Sequence, residues 1–279
     1  MRLATIKADG RTTAARLGSG GDAVPLPFSD VGALLQADDW RARAAVDGPA
    51  LSPGRFDLAR LIPHPGKIIC LGLNYRSHID EMGRDRPRYP TLFAKFSESL
   101  IAPYGDISLP RVSEEVDWEA ELGVIIGSVC RHASEAEALD AIAGYTVLND
   151  ITVRDWQHRT REFLSGKTFE STTPVGPALV TSDELPESAL GLTIECKVDG
   201  VTMQRASTAD LLFEPAHIVS YISTIITLRP GDIIATGTPG GVGAGRTPKV
   251  FLKDGQTVET SIEGIGLLSN RCRLEPARS

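Results

Sequence analysis

The sequence predicts an α+β protein whose large core is mostly β. Three observations carry that prediction. Short apolar runs recur between residues 67 and 262, each bounded by Gly, Pro or Asp, which is the punctuation of strands. Only three stretches beyond residue 67 carry a helical pattern, so helices decorate the strands rather than alternate with them. The chain has 279 residues, 42% hydrophobic and 23% charged, which suits one large domain or two unequal ones with an ordinary core.

Taken in order, residues 1–45 read as a small module, with a strand at 3–7, a turn at Asp9-Gly10, a strand at 13–17 and a short helix over 31–45. Asp47-Gly48-Pro49 and Ser52-Pro53-Gly54 make a breaker-rich linker, and Ile62-Pro63-His64-Pro65-Gly66 is a second stop. The expected division is a small N-terminal domain with its linker, 1–60, and a larger domain, 61–279. The larger part opens with an apolar strand at 67–73. Further strands are expected at 175–180, 192–199, 232–237, 249–253 and 256–262. A helix over 133–141 is marked by a Ser134 cap with Glu137 three residues on. A second is expected over 151–167, stopped by Gly166, and a third over 208–226, capped by Thr208.

Composition excludes several classes. The net charge of −7, from 29 basic and 36 acidic residues, argues against a nucleic-acid partner or an anionic membrane surface. No apolar run approaches the roughly 18 residues of a membrane span, and the first ten residues lack the apolar stretch of a signal peptide. Cys70, Cys130, Cys196 and Cys272 form no C-x-x-C pair, so buried single thiols in a reducing cytoplasm are expected.

The most informative feature is acidic. In Asp117-Trp118-Glu119-Ala120-Glu121, a strand's period of two puts Asp117, Glu119 and Glu121 on one face, and apolar Val124-Ile125-Ile126 carries that face inward. Asp150 closes a second strand-like run, Tyr145-Thr146-Val147-Leu148-Asn149. Buried carboxylates held together call for a cation, and an oxygen-only set favours Mg²⁺, Mn²⁺ or Ca²⁺ over Zn²⁺. Helical spacing beyond Asp150 would align Arg154 and Gln157 with it, as a grip for a carboxylate or carbonyl. His78 and Glu81, three apart, could form an imidazole–carboxylate pair that activates water, and Arg84 to Pro90 is polar and Pro-broken like a lid.

Two leads fail. Gly240-Gly241-Val242-Gly243-Ala244-Gly245-Arg246-Thr247 has Arg where a P-loop needs Lys, and Pro248 where it needs a helix. Its amides could still bind an anion, and Thr236-Gly237-Thr238-Pro239 could offer a hydroxyl and amides to a carboxylate. There is no G-x-S-x-G elbow for serine chemistry.

Together these segments resemble the fumarylacetoacetate hydrolase superfamily over about residues 67–270. The pieces, in that family's order, are Gly72-Leu73-Asn74-Tyr75 with His78 and Glu81, Pro90-Thr91-Leu92-Phe93-Ala94-Lys95, Asp117 to Leu122, Asn149-Asp150 with Arg154 and Gln157, Gly166-Lys167-Thr168-Phe169 with Pro174-Val175-Gly176-Pro177, and Thr236 to Gly243. The resemblance implies a mixed β-roll of packed sheets with a small N-terminal domain, and a homodimer. It also implies Mg²⁺ or Mn²⁺ on Glu119, Glu121 and Asp150, and catalytic His78, Glu81 and Lys167. Arg154, Gln157 and Thr238 match substrate-binding positions. The implied substrate is a small 2-oxo acid. Hydrolysis of a 3-acylpyruvate such as fumarylpyruvate or acetylpyruvate comes first among the implied reactions. Decarboxylation of oxaloacetate, isomerisation of a 2-hydroxyhepta-2,4-diene-1,7-dioate, or metal and oxo-acid binding without turnover are the alternatives. Thr168-Phe169-Glu170 after Lys167 departs from the commoner Ser-Phe-Asp.

Overall fold

The computed structural model describes residues 1–81, 83 and 85–277, with Glu81 described by its backbone alone. Eighteen strands and seven α-helices are found among these residues. The N-terminal part holds β1 (Arg2–Ala8), β2 (Arg11–Leu17), β3 (Ala23–Pro25) and the short β4 (Asp57–Leu58), with α1 (Val31–Leu35) and α2 (Trp40–Ala44). The expected helix over 31–45 is thus two short ones. Asp30 caps the first, its carboxylate accepting the Ala33 N–H at 2.9 Å.

Beyond residue 66 come β5 (Ile68–Gly72), α3 (Arg76–Glu81), β6 (Thr91–Lys95), β7 (Leu100–Ile101), β8 (Ile107–Leu109), β9 (Val116–Asp117) and β10 (Ala120–Ile126). Next are α4 (Glu135–Asp140), β11 (Ile142–Asn149), β12 (Thr152–Val153), α5 (Arg154–Gln157) and α6 (Leu164–Lys167). The chain closes with β13 (Thr173–Thr181), β14 (Thr193–Val198), β15 (Val201–Ser207), α7 (Pro215–Ile225), β16 (Ile233–Ala235), β17 (Thr257–Ile262) and β18 (Gly266–Leu274). The capping box of Ser134 and Glu137 is formed as the sequence predicts.

The large mixed sheet runs β3-β2-β1-β13-β11-β10-β16-β5-β6, with β4 on β1 and β7 on β13. A second sheet runs β15-β14-β17-β18-β8, and β9 and β12 form a separate ribbon. This is the packed, mixed β-roll that the resemblance implied. The N-terminal strands extend the large sheet, because β1 pairs with β13.

β10 and β11 are buried along their whole length, because both faces of the large sheet are covered. Leu122, Val124 and Val147 pack in the core shared with Ile194 and Val258 of the second sheet. Ile125 and Leu148 pack on the opposite face with Leu34 and Trp40 of the N-terminal helices. The four cysteines are free and buried in these cores.

Three expected elements are corrected. Residues 151–167 are not one helix. β-branched Thr152 and Val153 pair with Asp117 and Val116 in the ribbon, so helical geometry begins only at Arg154 and lasts one turn. Gly166 is also not a simple stop. A Cβ there would lie 2.5 Å from the Gln157 nitrogen, so the glycine lets α6 pack directly on α5. The helix expected over 208–226 starts at Pro215, a residue suited to a first turn, while the Thr208 hydroxyl is spent on the Ala189 carbonyl rather than on a cap. Residues 249–253 form no strand. Val250 N–H donates to Gly243 and Leu252 N–H to Val116, two unrelated segments, so no ladder builds.

Candidate metal centre

The pairing of β10 with β11 brings the acids together. Ala120 pairs with Asn149 and Glu121 with Leu148, and the Asp150 N–H continues the ladder by donating to the Glu119 carbonyl at 2.8 Å. Period two then places Glu119, Glu121 and Asp150 on one face at the end of two central strands. Their carboxylate oxygens lie within 4.8 Å of one another, and all three residues are buried. Asp117 is not among them, because the backbone leaves regular β pairing between β9 and β10. Its Oδ1 accepts the Gly243 N–H at 2.7 Å and its Oδ2 the Ala244 N–H at 2.9 Å. The glycine-rich loop does bind an anion, then, and the anion is the chain's own Asp117. Gly243 is required there, since a Cβ would fall 1.8 Å from the Val250 carbonyl oxygen.

Three cations meet these carboxylates. Lys167 Nζ lies 2.7 Å from Glu119 Oε2 and 2.7 Å from Asp150 Oδ2. Lys95 Nζ lies 2.6 Å from Asp150 Oδ1. Arg154 reaches Glu119 Oε1 with Nη1 at 2.7 Å and Asp117 Oδ2 with Nε at 2.8 Å. Gln157 Oε1 accepts a further bond from Arg154 Nη1 at 3.0 Å. Replacing Asp117 by alanine is therefore expected to destabilise the fold by about 3 kcal/mol, since it removes one of the two carboxylates paired with the buried Arg154 and leaves two loop amides without their acceptor. A urea midpoint unchanged from wild type would contradict that anchoring role.

The electrostatics follow from burial. Burial pulls the Lys167 ammonium down, but Asp150 and Glu119 outweigh it, so Lys167 stays protonated well above its ordinary range. Burial raises Asp150, and Lys167 and Lys95 reverse that and hold it below the usual carboxylate range. Glu121 is pushed well above its usual range, by burial first and then by Asp150 and Glu119. Its Oε2 accepts the Gly237 N–H at 2.7 Å, while its Oε1 is buried with no hydrogen-bond partner among the described residues. A buried, orphaned carboxylate oxygen facing two further carboxylates is what a hard divalent cation would satisfy, and the oxygen-only donor set fits one.

The remaining expected residues distribute as follows. Arg154, Gln157 and Lys167 are each buried in or against the cluster. Thr238 stands one residue beyond Gly237, and its Oγ1 accepts from Gln204 Nε2 at 2.8 Å. His78 lies in α3 and is a buried residue, 9% exposed. The Glu81 side chain lies outside the described residues, as do Met82 and Arg84 of the expected lid. Sequence reasoning gave no role to Lys95. The available signal was a lysine closing the short apolar strand Thr91–Lys95, where a buried charge needs an acid. Arg154 Nη2 is a second orphan, a buried donor with no acceptor among the described residues.

The family described as fumarylacetoacetate (FAA) hydrolase C-terminal matches residues 67–273. The chain is similar to the mitochondrial oxaloacetate tautomerase Fahd2a of Rattus norvegicus, 40% identical over 232 residues that cover 83% of this chain and 74% of the relative. Among solved structures, fumarylacetoacetate hydrolase from Exiguobacterium antarcticum superposes with a TM-score of 0.88 at 32% identity, covering 99% of this chain and 100% of that one. The 2-hydroxyhepta-2,4-diene-1,7-dioate isomerase of Mycobacterium marinum superposes with a TM-score of 0.82 at 30% identity, with coverage of 99% and 100%.

Proposed function

The chain belongs to the fumarylacetoacetate hydrolase family, and from that premise we propose a divalent-cation-dependent enzyme that works through the enolate of a short 2-oxo acid. Keto–enol conversion of an oxaloacetate-like diacid is its first reaction. The observation that carries this reading is the buried triad of Glu119, Glu121 and Asp150, with a protonated Lys167 spanning two of its members. Mg²⁺ or Mn²⁺ is the proposed cofactor, and when bound it would supply Lewis-acid polarisation of the 2-oxo carbonyl.

The chain's own residues do the rest. Lys167 keeps a positive charge beside the site in a dry environment, where it stabilises the negative charge that builds on an enolate oxygen. Arg154 offers its unspent Nη2 to a substrate carboxylate, while Asp117 and Gln157 hold the guanidinium plane. Thr238 offers its hydroxyl to the same class of group. His78 is the proposed proton carrier to and from carbon. The similarity to an oxaloacetate tautomerase supports the diacid, and tautomerisation needs no attacking water.

Hydrolysis of a 3-acylpyruvate is the second reading, favoured by His78 and Glu81, because only that reaction must generate a nucleophile. His78→Ala tests the water-activating role on which that second reading depends. It is expected to lower acylpyruvate hydrolysis by about 10²–10⁴-fold while decarboxylation of oxaloacetate falls less. Equal losses would remove the water-activating role. The direct test runs acetylpyruvate, fumarylpyruvate and oxaloacetate in parallel with Mg²⁺, Mn²⁺ or a chelator, following enol, keto acid and pyruvate. Metal-dependent enol–keto conversion supports the first reaction, and acylpyruvate cleavage alone replaces it with the second. Tight oxalate binding with no turnover of any of the three leaves a binding protein.

A further inference from the structure

Gln204 is a fully buried amide in β15 of the second sheet, with no role in the chemistry above. Its Oε1 accepts the Ala120 N–H at 2.9 Å. A backbone N–H can only donate, so this bond fixes which end of the amide is oxygen. The two hydrogens of Nε2 therefore go to Thr238 Oγ1 at 2.8 Å and to the Pro239 carbonyl at 2.8 Å. Thr238 Oγ1 is thus an acceptor toward Gln204, and its own hydrogen has no acceptor among the described residues. That hydrogen stands one residue from the Gly237 N–H that holds Glu121.

We propose that Gln204 is a positioning residue. By donating to Thr238 Oγ1 it leaves the threonine hydroxyl a dedicated donor for the carboxylate of the 2-oxo acid. By accepting from Ala120 it ties that donor to the backbone between Glu119 and Glu121. One amide thereby sets the spacing between the carboxylate ligands and the group that grips the substrate's anionic end. The inference rests on the 2-oxo acid reading above.

Oxalate is the probe, titrated calorimetrically into the Mn²⁺-loaded full chain, because it presents carboxylates and does not turn over. Thr238→Val and Gln204→Met are each expected to weaken oxalate about tenfold, and the double variant no more than either single, since both remove one hydrogen bond. Thr238→Ser keeps the hydroxyl and is expected to bind within about twofold of wild type. If Gln204→Met disturbs the strand, Gln204→Glu keeps an acceptor for Ala120 while reversing the bond to Thr238, and an equal loss is expected. In turnover the loss falls on KM more than on kcat. Additive losses in the double variant, or wild-type affinity in either Gln204 variant, overturn the inference. A protein that shows the coupling but turns over no 2-oxo acid supports it and sinks the enzymatic reading alone. A wild-type protein that does not bind oxalate overturns both.

Discussion

Replacing Glu121 by glutamine is expected to abolish metal-dependent turnover, by about a thousandfold or more, equivalent to about 4 kcal/mol in the barrier. The metal-free protein should meanwhile be at least as stable as wild type. Both halves follow from one geometry. Glu121 is fully buried between Glu119 and Asp150, and burial with two like charges is what pushes its carboxyl upward. The amide of glutamine keeps an oxygen for the Gly237 N–H and puts a donor where Oε1 has no partner among the described residues. Like-charge repulsion disappears, and with it an anionic ligand. Thermal melts with and without Mn²⁺ check this. A cation at 100 times its Kd stabilises the wild-type fold by about 2.7 kcal/mol, and the variant should lose that increment. A variant that still melts higher with Mn²⁺ and still turns over would show that Glu121 is no ligand.

The acidic triad was legible because two local rules converge on it. The i, i+2 spacing of Glu119 and Glu121 assigns a face, and the apolar runs that follow Glu121 and precede Asp150 bury the strands that carry them. Their union with Asp150 depends on the β10–β11 register, which no local rule supplies; the family's segment order stood in for it. Where spacing was read beyond its local support, it misled. Asp117 shares the parity of Glu119, yet the break between β9 and β10 turns it to the glycine-rich loop. Arg154 and Gln157 do lie on one helical turn, but Asp150 reaches them through the short strand of Thr152 and Val153 rather than along a helix. The partners of Lys95 and Gln204 were hidden for a different reason. Each acts on residues more than fifty positions away, Lys95 on Asp150 and Gln204 on Ala120. A single lysine or glutamine in a strand carries no sign of which distant group it will meet.

Lys167→Met is the second large effect, and its sign differs between binding and turnover. The ammonium is paired with Glu119 and Asp150, which would also hold the proposed cation, so the two positive charges would repel. Removing it should leave Mn²⁺ affinity equal or tighter, while turnover falls by about 10²-fold or more as the enolate loses a preorganised counter-charge. Without metal, the variant leaves two buried carboxylates short of a partner and should lose about 3–5 kcal/mol of stability. Lys95 still compensates Asp150, which argues for the lower part of that range. Saturating Mn²⁺ should restore much of the loss, because a divalent charge can take the place of a monovalent one at those oxygens. Calorimetric titration of Mn²⁺, urea denaturation with and without it, and steady-state kinetics give the three signs separately. If metal affinity and turnover fall together by similar factors, Lys167 acts as a structural clamp on the carboxylates, and the charge that stabilises the enolate must come from elsewhere, with Arg154 the nearest remaining cation to Glu119.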